Sequence, residues 1–356
     1  MTAPNSIHPN SPGHSNRRLD VREGRVDLSH GGGGRAMAQL IEDIFRRHLD
    51  NDLLRQNNDQ ALFGPVRGRL VMSTDGHVIS PMFFNGGNIG SLAVHGTIND
   101  VAMAGARPLY LAAGFILEEG LPLADLERIV IAMAEASKAA GVPIVTGDTK
   151  VVERGKADGC FITTTGVGEV PDGIVISGER ATPGDAVLVS GSLGDHGIAI
   201  LSQRDNLGFG TELQSDSAAL HGLVADMIAA VPDIHCLRDP TRGGLAATLN
   251  ELAAQSGVGM LIREAAIPLK PEVRAACELL GLDPLNIANE GKLIAICPAE
   301  RAEALLTAMR AHPLGRESAI IGKVTKDPQQ LIELETPFGG RRLLDWLTGE
   351  QLPRIC

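Results

Sequence analysis

Between residues 35 and 45, apolar positions fall three and four apart at Met37, Leu40, Ile41, Ile44 and Phe45. This spacing predicts an amphipathic helix directly after a run of glycines. GRLVMSTDG then predicts a short strand with Asp75 at its exit, and NIGSLAVHGTINDVAMAGA a helix of small residues suited to close packing on a sheet. PLYLAAGFIL predicts a strand, LADLERIVIAMAEASKAA a helix stopped by Gly141, and VPIVTGDTKVV and GCFITTTGVGEV two further strands. The resulting order, β–α–β–α–β–β, ends at the turn-rich stretch ERATPGD at 179–185.

The second half repeats the style without repeating the sequence. DAVLVSG, GMLIREA, GKLIAICP and AIIGKV predict strands, the last of them closing the series. SAALHGLVADMIAA, TRGGLAATLNELAAQSG, PEVRAACELLG and RAEALLTAMRA predict helices. Each half must bury a sheet face under helices, so the expected fold is α+β with two domains. A chain of 356 residues also exceeds the size at which one core usually keeps growing. The expected limits are a disordered extension over 1–29, domains over 30–178 and 179–345, and a mobile tail over 346–356, where Pro353 opposes helix.

Composition narrows the function. A net charge of −11 argues against nucleic acid or an anionic membrane as the main partner, while leaving room for a nucleotide held by a few lysines and backbone amides. The N-terminal stretch has no apolar core of a secretory signal, and no apolar run is long enough to span a bilayer, so a cytoplasmic protein is expected. Cys160, Cys236, Cys277 and Cys297 lie in apolar segments and read as buried thiols. Cys356 differs, because a cysteine on a normally mobile chain end is a liability unless its thiol is used.

Candidate chemistry sits at the element junctions. Asp75, Asp100 and Asp148 could furnish the oxygen ligands that Mg²⁺ and nucleotide phosphates require, or could be turn and cap residues. Asn99 and Thr149 would support the carboxylates by hydrogen bonds. The run His30–Gly34, with Gly32 and Gly33 at its centre, permits amides to converge on phosphate; it equally suits a linker, and it is not a Walker A sequence. GSLGDHG at 191–197 carries the same two readings. Arg238-Asp239-Pro240-Thr241-Arg242 reads as an anion or interdomain site, or as a capped helix start. Glu290 in NEGK is either a buried general base or a turn acid.

HGGGG, STDGHVISPMFFNGGNIGSLAVHGTINDVAMAGA, GDTKVVERG, SGSLGDHG, RDPTRGGLA, NEGKL and the terminal PRIC occur in this order. From His30 to Cys356 the chain resembles the hydrogenase-maturation carbamoyl dehydratases of the aminoimidazole-ribotide-synthetase-like, or PurM-like, ATP-binding superfamily. The resemblance implies a two-domain PurM-like fold whose N-terminal sheets pair in a homodimer to close a central barrel. It implies that Cys356 carries a carbamoyl group, which ATP is used to dehydrate to a thiocyanate. It places Asp75, Asp100 and Asp148 in the nucleotide and Mg²⁺ cluster, and Lys150 and Glu290 at positions assisting dehydration. Asn88 stands where some relatives have aspartate and is not assigned to metal. The implied partners are a HypF-type carbamoyltransferase and a HypC–HypD iron-carrying scaffold.

Two other functions remain to be separated. A purine-pathway or selenophosphate synthetase of the same superfamily would leave Cys356 unexplained, and HGGGG lacks the reactive cysteine of selenophosphate synthetases. A metallochaperone using Cys356 would need a second soft ligand, and no cysteine or histidine lies near it in sequence.

Overall fold

The computed structural model describes residues 19–56, 58, 60–204, 213–346 and 354–355. Cys356 and most of the expected tail lie outside the described residues. A four-stranded sheet organises the N-terminal half, from β1 (Arg69–His77), β2 (Arg107–Glu118), β3 (Ile144–Val152) and β4 (Cys160–Val170). Their order is β1–β4–β2–β3, with β2 and β3 parallel and the other pairs antiparallel.

Helices cover one face of this sheet. The Asn88 side chain accepts from the Gly90 and Ser91 amides and caps α1 (Ile89–Met103). Small residues let α1 approach its neighbours closely: a Cβ on Gly90 would lie 2.3 Å from the Ile129 carbonyl. Ile129 belongs to α2 (Leu123–Ala140), whose buried Leu126, Ile129, Val130 and Met133 follow the helical period until Gly141 at φ +68° ends it. The sheet's other face carries Leu70, Met72 and Ile116, which are 62%, 72% and 41% exposed.

The C-terminal half is built on seven strands, two of them the interior β5 (Ala186–Val189) and β6 (Ile294–Cys297). Every residue of both strands is buried, since helices cover both faces. Val187 and Val189 enter one core with Leu245 and Leu249, and Ala186 and Leu188 enter another with Leu223 and Leu305.

Several expectations need correction. Asp75 and Asp148 do not follow strand ends but lie within β1 and β3, because the ladder continues past them: Gly76 and His77 still pair with Thr163 and Ile162. The helix expected at 35–45 is helical at Arg35–Leu40 but adopts π geometry over Ile41–Arg46. Strands at Cys236–Arg238, Ile332–Glu335 and Arg341–Leu343 were not expected, being short or highly charged, and exist because neighbouring strands offer ladder partners. Ala319–Thr325 is therefore not the last strand.

Candidate active site

An acidic nest lies where α1 meets loops of the C-terminal half. Ser73 and Asp75 share one face of β1, and Ser73 Oγ donates to Asp100 Oδ2 on α1 at 2.8 Å. His77, on the same face, is buried with Nε2 3.4 Å from Asp75 Oδ2. From the other half come Asp239 and Glu290, the latter only 4% exposed with no partner for Oε1. The carboxyl groups disturb one another. Burial, helped by Asp75, raises the pKa of Asp100 despite the Ser73 hydrogen bond. Burial together with Asp100 and Asp75 pushes Asp239 up to about 7. Glu290 is held well above the carboxylate range by burial, then by Asp239, Asp216, Asp75 and Asp100. Burial likewise pushes the pKa of His77 down, while Asp75 acts the other way.

The second cluster lies across the sheet. Asp75 pairs with Thr164, Thr164 with Ala113, and Ala113 with Gly147, the residue before Asp148. Three strand spacings separate Asp75 from Asp148, about 14 Å. Asp148 and Lys150 also point to the opposite, helix-free face, where Lys150 Nζ meets Asp148 Oδ2 at 2.7 Å with both side chains about two-thirds exposed. That hydrogen bond holds the Asp148 carboxyl below its usual value. The glycine run packs on the same strand, from the other face: a Cβ on Gly31 would lie 2.9 Å from Val151 Cβ. A Cβ on Gly32 would meet the Ser29 and Leu28 carbonyls at 3.6 and 3.9 Å, while Gly33 faces open space with φ +73°, which disfavours any side chain. A cleft of about 470 Å³ lined by Ile41, Leu54, Thr146 and Gly147 opens at Asp148.

The predicted site residues thus divide into two groups. Asp75, Asp100 and Glu290 come together. Asp148 and Lys150 stand apart with Gly32 and Gly33, so the three aspartates do not form one metal cluster within a single chain. Among the described residues no three His, Cys, Asp or Glu side chains converge as a metal site. Mg²⁺ commonly takes one or two carboxylates plus phosphate oxygens and water. Asp75 and Asp100, with their mutual repulsion, fit such a nucleotide-borne ion; Asp148 of the same chain does not.

Asn99 is buried between the two halves. Its amide donates to the Ala218 and Glu290 carbonyls at 3.0 and 3.2 Å, and its oxygen accepts from Leu220 N–H at 2.7 Å, tying the two halves together. Thr149 is buried on the face away from Asp148. Asp239 is not a helix cap, since Gly243 occupies that position. His77 and Asp216 escaped the sequence reading. Strand alternation could have found His77 two residues after Asp75, whereas Asp216, which accepts from Glu290 N–H at 3.0 Å, had no local signal. GSLGDHG borders an open cavity of about 780 Å³ with the ion pairs Lys270–Asp195 and Lys292–Asp216.

Comparison with known proteins agrees with this architecture. The N-terminal domain of AIR synthase related protein matches residues 57–170, and the C-terminal domain of AIR synthase related protein matches residues 182–334. The chain is therefore a two-domain AIR synthase related protein of the PurM-like α+β fold. It is 70% identical over 339 residues to the carbamoyl dehydratase HypE of Azotobacter vinelandii, covering 95% of this chain and 99% of that one. A crystal structure of hydrogenase maturation protein HypE in complex with ATP superposes with a TM-score of 0.89 at 54% identity, covering 92% of this chain and 99% of that one. The HypE chain of a HypE–HypF complex gives a TM-score of 0.77 at 46% identity, with 86% and 99% covered. Within the AIR synthase related proteins, this chain belongs to the HypE carbamoyl dehydratase family.

Proposed function

We propose that this protein uses ATP to dehydrate an S-carbamoyl group on its own Cys356 to a thiocyanate, the source of the cyanide ligand on the iron of [NiFe]-hydrogenase. The observation carrying this reading is the buried, unpartnered Glu290 carboxyl among Asp75, Asp100 and Asp239, in a chain of the HypE family. An amide oxygen leaves poorly. Attack of the thiocarbamate oxygen on the γ-phosphorus of ATP releases ADP and turns that oxygen into a phosphate ester; an N–H proton is lost. Loss of the second N–H proton then expels phosphate and forms the C≡N bond. Glu290 is the base for one of these protons. Burial and the neighbouring carboxyl groups raise its pKa, which strengthens it as a base, and cations brought close to it offset that rise.

Mg²⁺ bound with ATP would supply charge neutralisation at the phosphates, with Asp75 and Asp100 as its protein ligands. Lys150, Gly32 and Gly33 would hold the transferred phosphoryl group and its neighbours. Because Lys150 lies on the far face from Glu290, the reading includes a homodimer in which the N-terminal sheets close into a barrel and one chain completes the other's site. It is supported by the bare apolar face of Leu70, Met72 and Ile116 and by the unpaired outer edge of β1. A HypF-type carbamoyltransferase loads the thiol, and a HypC–HypD scaffold carrying iron accepts the cyanide. Both must reach Cys356, so the tail leaves its docked position between steps. Four buried, unpaired thiols suit the reducing cytoplasm.

Intact-protein mass spectrometry tests the reading. Carbamoylated protein should lose one water on the C-terminal peptide only when MgATP is added. ATP consumed with the carbamoyl group retained would overturn it.

A further inference from the structure

The last described residues are held through their backbone by both halves of the molecule. His196 is fully buried, with Nε2 2.8 Å from the Ile355 carbonyl oxygen and Nδ1 2.8 Å from Ser215 Oγ. A carbonyl only accepts, so Nε2 carries the proton and Nδ1 accepts from the Ser215 hydroxyl. Phe84 meets the imidazole edge-on at 5.7 Å, fixing the ring. Ser215 is fixed in turn, donating its N–H to the Asn85 carbonyl and accepting at Oγ from Ser217 N–H. One residue earlier, the Arg354 carbonyl accepts from Arg204 Nη2 at 2.7 Å and from Ser80 N–H at 3.2 Å. The Arg354 side chain pairs with Asp158, and Ile355 is 2% exposed within the N-terminal core.

The Ile355 carbonyl belongs to the peptide bond that carries Cys356. Fixing that carbonyl fixes the peptide plane, leaving only the cysteine's own torsions to place its sulfur. We propose that His196, set in its Nε2–H form by Ser215, is a positioning residue for dehydration that holds the peptide plane bearing the reacting thiol. The kinetic part rests on the dehydratase reading above; the docking part does not. Energy for holding comes from one buried, well-aligned hydrogen bond, and misplacement of the reacting atoms by an ångström can cost about 10²-fold in rate.

The test compares His196→Leu, His196→Gln and Ser215→Ala in the full chain. Trypsin cleavage at the Arg354–Ile355 bond, followed by intact mass, reports docking without reference to activity. Single-turnover dehydration of carbamoylated protein at saturating ATP reports positioning, and ATP affinity is measured alongside. His196→Leu should expose the bond to cleavage about tenfold faster and slow dehydration by about 10–100-fold, with ATP affinity unchanged. His196→Gln places an amide donor near the Nε2 position and should restore both readouts to within about threefold of the parent. Ser215→Ala frees the ring to take the other tautomer and should fall between them.

Wild-type protection and rate in a folded His196→Leu variant would overturn the proposal. A Gln variant as defective as the Leu variant would also overturn it, by reducing His196 to core packing. If the Leu variant does not fold, Ser215→Ala decides, and wild-type behaviour there overturns the proposal. Should unmutated carbamoylated protein lose no water, the dehydratase reading fails, while the cleavage rates still decide whether His196 docks the tail.

Discussion

Asp148 and Lys150 lie in the open, paired with each other at 2.7 Å, whereas Glu290, Asp239 and Asp100 crowd together, with Arg238 offsetting burial and repulsion at Asp239 and Asp100 only in part. Both groups consist of the residue types that handle phosphate and magnesium, yet their physical states are opposite. The exposed pair is satisfied, well solvated and worth little to folding. The buried nest is an arrangement that costs folding energy, and burial raises the pKa of its carboxyl groups. On the function proposed above, this is the part of the site that receives cations. The satisfied pair reads as a loose component that another molecule can recruit. The contrast extends to the sheets that carry the groups, since the seven-stranded sheet is covered on both faces and the four-stranded one is bare on one.

Removing the carrier thiol should have the largest effect. Cys356→Ser is expected to abolish ATP-dependent loss of water on the C-terminal peptide while ATP binding, measured by calorimetry, is retained. Glu290→Gln comes next: dehydration should fall by about 10²–10⁴-fold, the usual contribution of a general base, with ATP affinity within about threefold of the parent. Single-turnover kinetics would check this, and unchanged dehydration would remove Glu290 from the chemistry.

Mixing variants sharpens the comparison itself. If Lys150 of one chain serves Glu290 of its partner, a Lys150→Ala chain paired with a Glu290→Gln chain forms one intact site. Random reassembly of equal amounts of two inactive homodimers should then recover about a quarter of wild-type activity. No recovery after verified subunit exchange would place both residues in the same chain's site.

Stability against pH separates the two groups more gently. Asp239 has a folded-state value of about 7, against an ordinary aspartate value near 3.9. Between roughly pH 4 and 7 the folded protein holds a proton that the unfolded chain has released, so stability falls as pH rises through that window. Asp239→Asn should remove this decline and gain on the parent by roughly 1–3 kcal/mol at high pH, with little difference near pH 4. Chemical denaturation at several pH values would show it, and a parallel pair of curves would refute it. The smallest effect belongs to the exposed pair: Lys150→Ala should change stability by less than about 1 kcal/mol, although it sharply impairs turnover.

Local pattern was sufficient for much of the molecule. The three- and four-residue spacing from Leu123 to Ala140 announced a helix, Gly141 its end, and alternation the long strands, because backbone sterics and amphipathicity act over a few residues. The ordered motifs from HGGGG to NEGKL also contain Asp75, Asp100 and Glu290, which the fold brings together. Pairing partners were beyond such patterns. Short strands such as Cys236–Arg238 exist only because a neighbour completes their hydrogen bonds. Whether Asp148 joined Asp75 depended on sheet order and on which face each residue took, and a difference of one position in strand register is enough to turn a side chain to the other face. Asn99 became an interdomain tie and Glu290 a buried acid through contacts nearly 200 residues apart in sequence, as the 191-residue separation of their hydrogen bond records. Sequence alone determined which residues were available for the chemistry; tertiary structure decided which of them share a dielectric environment, because desolvation and charge repulsion depend on distances through space.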